Sequence, residues 1–248
     1  MNSYADFAYL YDSLMTSDID YGKWADYIEN LFHYYDKNPN MVCDLACGTG
    51  NFTIPLATRG YEMIGVDRSY DMLTVAREKA QEENLDILFL NQSVSKLDLY
   101  GTADAFLCMI DGFNYILSYQ TLYAIFKRIK TCFIEPDGIF IFDLSSRYKL
   151  SETIGNNTFI HSSEDIFYTW ENTYYKQKNI SDMFLTFFKK DTDGKYERFE
   201  ERHLQRGYSV SEIKYLLKKA GFAKVDVFDE LSFAPTSDTS SRIVFAAQ

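Results

Sequence analysis

Four short segments hold the residue types able to do chemistry, and each follows an apolar run. Asp44-Leu45-Ala46-Cys47-Gly48-Thr49-Gly50-Asn51 joins an acid to a string of small residues. Small residues let a backbone approach a ligand closely and offer N–H groups to bind it. Gly65-Val66-Asp67 places a second acid 17 positions past Gly50. A carboxylate has two acceptor oxygens, enough for both hydroxyls of a ribose. Asn91-Gln92-Ser93 and Ile110-Asp111-Gly112-Phe113-Asn114-Tyr115 are the other two segments. Asp111 is placed to orient an amine, or else to cap the turn after it. Outside these segments, His203 lies in Glu201-Arg202-His203-Leu204-Gln205-Arg206. An imidazole titrates near neutrality and suits a general base; the alternative is an exposed strand histidine. His33 and His161 read as structural or solvated, and the three histidines lack metal-ligand spacing.

The elements that must position these residues follow from hydrophobic period. Residues 4–35 read as two helices, with Phe7, Tyr11 and Leu14 on the first. Trp24, Tyr27, Ile28, Leu31 and Phe32 mark the second, and Asp18–Gly22 separates them. From Met41 strands and helices alternate. Strands are expected at Met41–Leu45, Glu62–Val66, Ile87–Leu90, Ala103–Ile110 and Gly138–Leu144. Helices are expected at Thr53–Thr58, from a Ser69 cap to about Asn84, and at Tyr119–Phe133. Nearly continuous apolar strands alternating with helices imply a doubly wound parallel sheet, covered on both faces. The rhythm breaks after Asp143. Residues 166–175, 182–190 and 195–205 read as antiparallel strands, with Asp191-Thr192-Asp193-Gly194 as a hairpin turn. Ser209-Val210-Ser211-Glu212 is a capping box for a helix over Ile213–Ala220, and Gly221 stops it. Val225–Phe228 and Ile243–Ala246 close the chain as an antiparallel hairpin. The fold class is therefore α/β: a doubly wound, mostly parallel seven-stranded sheet with an antiparallel terminal hairpin, N-terminal helices and a small antiparallel β insertion. In such sheets ligands bind beyond the carboxyl ends of the strands, where the four segments fall.

Composition sets limits. The 248 residues, 46% hydrophobic and 25% charged, can bury a core without disulfide or metal staples. Runs such as Ile139–Leu144 are far shorter than the roughly 20 residues of a membrane span. The start, Met1-Asn2-Ser3-Tyr4-Ala5-Asp6, lacks the pattern of a secretory signal. A net charge of −11 disfavours nucleic acid and anionic lipid as partners. Cysteines 43, 47, 108 and 132 form no Cys-x-x-Cys pair and read as reduced, buried thiols of a cytoplasmic protein. The outlier is 20 Tyr, 20 Phe and 2 Trp. Phe167, Tyr168, Trp170, Tyr174, Tyr175, Phe184, Phe187 and Phe188 gather in the insertion. They build either a lid or dimer face around an acceptor pocket, or the small sheet's own core.

Val42–Asn51 resembles the cofactor signature of class I S-adenosylmethionine-dependent methyltransferases, with Asp67 in the place of their ribose-binding acid. Tyr4-x-x-Phe7-Ala8-x-x-Tyr11-Asp12 resembles the opening segment of the small-molecule subgroup, which includes glycine and amino-sugar N-methyltransferases. The resemblance covers all but the insertion. It implies a Rossmann-like cofactor-binding core with its N-terminal helices over 1–145, an insertion acting as lid or dimer face over 146–206, and the end of the core over 207–248.

The resemblance also implies roles. Asp44 and the backbone at Ala46 and Gly48, with Cys47, Thr49 and Gly50 in the same bend, would hold the amino-acid end of S-adenosyl-L-methionine. Asp67 would bind the ribose, and Arg68 and Met72 would flank the adenine. Gln92, Ser93 and Val94 would line the adenine edge, and Met109 and Asp111 the methionine end facing the acceptor. Tyr11 would close over the cofactor. Asp111, His203 and Tyr11 form the candidate catalytic set, with no metal. Two positions depart from the family pattern: Ala46 replaces the first glycine, and Ser93 replaces the usual aspartate, which weakens the expected contact to the adenine amino group. A nicotinamide fingerprint starting at Gly48 would need glycine where Thr53 stands.

The implied activity is methyl transfer to N or O of a small molecule, with a homodimer as one assembly. The alternatives are a cofactor-binding scaffold without turnover, or a protein or RNA methyltransferase. Sulfonium charge is lost in the transition state, so tyrosine hydroxyls and ring faces near Tyr11, Phe113 and Tyr115 would hold it better than a strongly anionic wall.

Overall fold

Asp20 starts the first long helix by accepting the Lys23 N–H on its side chain at 3.0 Å. Helix α1 (Tyr21–Tyr34) then buries Trp24, Tyr27, Ile28, Leu31 and Phe32, the face read from their spacing. The structure is a computed structural model and describes residues 8–10, 12, 19–191 and 193–248. Tyr4, Phe7, Tyr11 and Leu14 lie outside the described residues, as does Thr192.

The α/β rhythm forms one seven-stranded sheet. Its strands are β1 (Met41–Leu45), β2 (Glu62–Asp67), β3 (Leu88–Asn91), β4 (Ala103–Cys108), β5 (Ile134–Ser145), β10 (Val225–Asp229) and β11 (Arg242–Ala247). Their order is β10-β11-β5-β4-β1-β2-β3. β1 to β5 run parallel, and β11 pairs antiparallel with both β5 and β10. Helices α2 (Thr53–Thr58), α3 (Tyr70–Glu82), α4 (Tyr119–Arg128) and α5 (Val210–Ala220) complete the core. The order reverses at β1, whose neighbours are β2 and β4. Backbones diverge there and open a crevice at the carboxyl ends.

Several boundaries differ from the sequence reading. β4 ends at Cys108 rather than Ile110, because Ile110 and Asp111 turn left-handed. α4 stops at Arg128, and Ile129–Phe133 winds as one wide turn that feeds directly into β5. β5 starts four residues earlier than expected. Ala103 pairs with Ile134 and Ala105 with Ile139, so the register slips at a bulge around Pro136-Asp137-Gly138 inside the strand. The capping box brings α5 forward to Val210: Ser209 Oγ accepts the Glu212 N–H at 3.2 Å and Glu212 Oε2 accepts the Ser209 N–H at 2.7 Å.

Between β5 and α5 lies a second, antiparallel sheet of four strands. These are β6 (Thr158–Ser162), β7 (Ile166–Tyr175), β8 (Ile180–Lys190) and β9 (Tyr196–Arg206). The sequence reading has three, because all five residues of β6 are exposed and show no alternation. Trp170, Tyr174 and Leu185 pack on Leu150, Ile154 and Met183 at the base of this sheet, so part of its aromatic content is core.

The main core holds rings as well as aliphatics. Phe113, fully buried, meets Phe126, Phe140 and Phe142 edge to face at 5.2–5.9 Å. Such pairs add about 0.5–1.5 kcal/mol each beyond burial. Phe113 is thus a core anchor, not the pocket ring the sequence reading offers. It pins the chain just after the turn that follows β4.

Candidate active site

Two turns flank the crevice. The first follows β1. Ala46 (φ 56°), Gly48 (φ 56°) and Gly50 (φ 77°) are all left-handed, so the chain bends sharply before α2. A Cβ at Gly48 would have nothing within 4 Å, which leaves open space above the bend. Ala46 carries a left-handed cost of about 1–2 kcal/mol that glycine would not. Beneath the bend, Asp44 is buried and accepts the Thr53 hydroxyl at 2.7 Å. Burial pushes the Asp44 carboxyl up to about 7, against the pull of that hydroxyl, with the neighbouring Asp67 adding to the rise.

Asp67 ends β2 beside the bend. Its Oδ2 accepts the Gly48 N–H at 3.0 Å and its Oδ1 the Ser69 N–H at 2.8 Å. Burial raises its pKa while these N–H groups hold it down. The expectation of free N–H donors across the bend is corrected here: Gly48 gives its proton to Asp67, and Gly50 donates to the Cys47 carbonyl. Gly65 lets β3 approach, since a Cβ there would sit 2.6 Å from the Phe89 ring.

The second turn follows β4. Ile110 (φ 57°) and Asp111 (φ 56°) are successive left-handed residues without glycine. Both N–H groups donate to the buried Asp143 of β5, Asp111 at 3.1 Å. Arg242, at the start of β11, binds Asp143 through Nη1, Asp111 Oδ1 through Nη2 at 3.0 Å, and Glu230 through Nε at 3.3 Å. Burial opposes the Arg242 cation, yet Asp143 and Asp111 hold it protonated. Lys149, half-buried after β5, is lowered by burial and by Arg242. Asp111 does not cap the following turn with its side chain.

The insertion supplies a wall. Gln205 and His203 are alternate residues of β9 and share a face. Gln205 Nε2 donates to Asp111 Oδ2 at 2.6 Å, and the His203 ring meets Tyr115 edge to face at 5.8 Å. Tyr115 shows 39% of its surface to solvent, while its hydroxyl lies beside Gln205 and Asp111. Burial and the Arg68 charge lower the His203 pKa, with Asp111 opposing them. Asn114, fully buried, ties this wall to the core by donating to Ser145 O at 3.0 Å and Arg206 O at 2.8 Å.

The remaining predicted residues divide. Asp44, Ala46, Gly48, Gly50, Asp67 and Asp111 come together around the crevice. Thr49 is turned to Asp12, which accepts its hydroxyl at 2.6 Å. Cys47 and Met109 are buried in the core layers, as are Cys43 and Cys108, whereas Cys132 is exposed, against the expectation of buried thiols. Arg68 is exposed and Met72 half-buried at the end of β2 and the start of α3. The Gln92 amide is folded back onto Asp98, and Ser93 Oγ bonds Ser95 Oγ at 2.9 Å, ahead of a short turn that begins at Val94. Tyr11 is outside the described residues. Sequence reasoning misses Gln205, Asp143 and Arg242. The signals were an acid directly after the apolar run Ile139–Phe142 of β5 and an arginine heading an apolar β11: buried charges need partners.

A family model described as a methyltransferase domain matches residues 42–138. YqeM of Bacillus subtilis, which bears a methyltransferase name without a stated substrate, is 33% identical across 99% of this chain and 96% of its own. A crystal structure of an S-adenosylmethionine-dependent methyltransferase from Clostridium acetobutylicum superposes with TM-score 0.90 at 33% identity, over 100% of this chain and 99% of that one. The chain belongs to the S-adenosylmethionine-dependent methyltransferases. The sugar N-methyltransferase KedS8 from Streptoalloteichus shares the fold at TM-score 0.76 and 15% identity, over 96% and 91% of the two chains.

The crevice of this methyltransferase fits its cofactor. Open space above Gly48 lies beside a buried carboxylate that still has acceptor capacity on each oxygen. Among the described residues, no helix is long and apolar enough to cross a membrane.

Proposed function

We propose that this methyltransferase acts on a nitrogen or oxygen atom of a small molecule. The observation that carries this reading is the contact of Gln205 with Asp111: a sheet strand stands within hydrogen-bond reach of the turn after β4, a position that suits a wall for an acceptor. A compact acceptor suits such a cleft better than a folded macromolecule does. The acidic balance, −11 overall, also argues against RNA. KedS8, a sugar N-methyltransferase, has the same fold.

In this reading Asp67 holds the ribose, and Asp44 with the Ala46–Gly50 bend holds the amino-acid end. Arg68, Met72, Gln92, Ser93 and Val94 border the adenine, Met109 and Asp111 border the methionine end, and Tyr11 closes over it. Bound S-adenosylmethionine supplies an electrophilic methyl group. The protein supplies alignment and excludes water. Asp111 orients the N–H or O–H of the acceptor. His203, kept neutral by its lowered pKa, accepts the proton that the nucleophile gives up.

Incubation with methyl-labelled cofactor and a cell extract, followed by size fractionation, tests this. Label is expected in the low-mass fraction and depends on His203 and Asp111. Label found only in protein or RNA would refute it.

A further inference from the structure

Ile110 and Asp111 stand at the mouth of the crevice between β1 and β4, in a conformation that L side chains leave unless something holds them. The holder is one carboxylate on the next strand. Asp143, with no exposed surface, takes the Ile110 N–H on Oδ1 and the Asp111 N–H on Oδ2. Arg242, from the strand paired with β5, grips that same Oδ2 and also reaches Asp111 Oδ1. Two side chains therefore fix both the backbone of the turn and the carboxylate it presents. The turn leans on the opposite lip: a Cβ at Gly112 would lie 3.2 Å from Ala46 Cβ. A shift of the second turn is felt by the first.

We infer that Asp143 and Arg242 are positioning residues for methyl transfer. Asp143 keeps Ile110 and Asp111 left-handed. Arg242 keeps Asp143 in place and aims the Asp111 carboxylate, with Gln205 holding its other oxygen. Both act through the turn and neither touches the reacting atoms. The inference rests on the assignment of this crevice to the cofactor.

The test uses the full chain and calorimetric titration with S-adenosylhomocysteine and S-adenosylmethionine. Asp143→Asn keeps the shape but turns one acceptor into a donor, so one N–H of the turn loses its partner. It is expected to weaken both ligands about tenfold or more. The decisive variant adds Ile110→Gly, which makes the left-handed conformation free of Cβ cost. The double variant is expected to bind within about threefold of Ile110→Gly alone, a rescue that a merely structural aspartate would not show. Arg242→Lys is expected to lose less affinity than Arg242→Gln. Asp143→Asn binding like the natural chain would overturn the inference. So would a double variant that stays unfolded, or that folds and binds as weakly as Asp143→Asn. If Asp143→Asn alone does not fold, the comparison of the double variant with Ile110→Gly decides by itself. Failure of the natural chain to bind either ligand would instead refute the cofactor assignment.

Discussion

The Gly48 N–H donates to the Asp67 carboxylate at 3.0 Å, joining the bend after β1 to the end of β2. One side chain thereby sets the shape of the loop and offers its remaining lone pairs to the crevice. Asp67→Ala removes both functions. Hydrogen bonds to a charged group contribute about 1.5–3 kcal/mol, so S-adenosylhomocysteine affinity should fall by more than about tenfold in calorimetry. The ligand-binding form is the carboxylate, and burial raises its pKa. Affinity in the natural chain should therefore decline as pH falls through that raised range, and Asp67→Asn should flatten the decline.

Gly112 supports a second prediction. A Cβ there would lie 2.7 Å from Cys108 Sγ and 3.2 Å from Ala46 Cβ. Neither neighbour is free to retreat, since Cys108 is fully buried and Ala46 belongs to the bend. Gly112→Ala should cost about 1–3 kcal/mol by overpacking. Thermal unfolding should show it as a drop of roughly 2–4 °C per kcal/mol. Cysteine 108 replaced by alanine should recover most of the loss, and no recovery would place the strain elsewhere.

The frame of the molecule was legible where apolar runs and turn chemistry agreed. Met41–Leu45, Thr53–Thr58 and residues 166–175 are read to the residue, and Ser209 and Gly221 end α5 as their types require. Misreadings fall where one signal hides another. Pro136-Asp137-Gly138 has turn composition but forms a bulge, because pairing with β4 resumes beyond it. β6 shows no alternation because it buries neither face. In the site, Asp44, Asp67 and Asp111 stand out as acids at strand ends. Asp143 and Arg242 show only as charges bordering apolar runs, because what makes them matter is a contact between residues 99 apart. Gln205 is likewise visible as a residue but not as a partner of Asp111 until β9 is folded across the strand ends.

Thr53→Val isolates the buried Asp44. Its folded pKa is pushed up to about 7 from an ordinary 3.8. Across that window the folded state retains a proton that the unfolded state has released, so this group makes stability fall as pH rises. The Thr53 hydroxyl is the donor that holds the carboxyl down. Without it the charged form loses its partner, at a cost of about 1–3 kcal/mol. Urea titrations should show a larger loss for Thr53→Val at about pH 8 than at about pH 5. Equal losses at both would mean that Asp44 does not change its protonation between them.

His203 gives the last prediction through its two charged neighbours. Burial and Arg68 push its pKa below the ordinary 6.5, while Asp111 pulls it up. Proton NMR should find the imidazole midpoint below 6.5, the signal being identified by its loss in His203→Gln. Arg68→Gln removes a cation and should raise the midpoint; Asp111→Asn removes an anion and should lower it. The sign for stability follows. Below 6.5 the unfolded chain binds a proton that the folded chain refuses, so the stabilisation is present above 6.5 and is lost as pH falls through the folded midpoint. Should Arg68→Gln leave the midpoint unmoved, Arg68 does not face the imidazole across the cleft, and His203 sits too far from the adenosyl side to serve as the base.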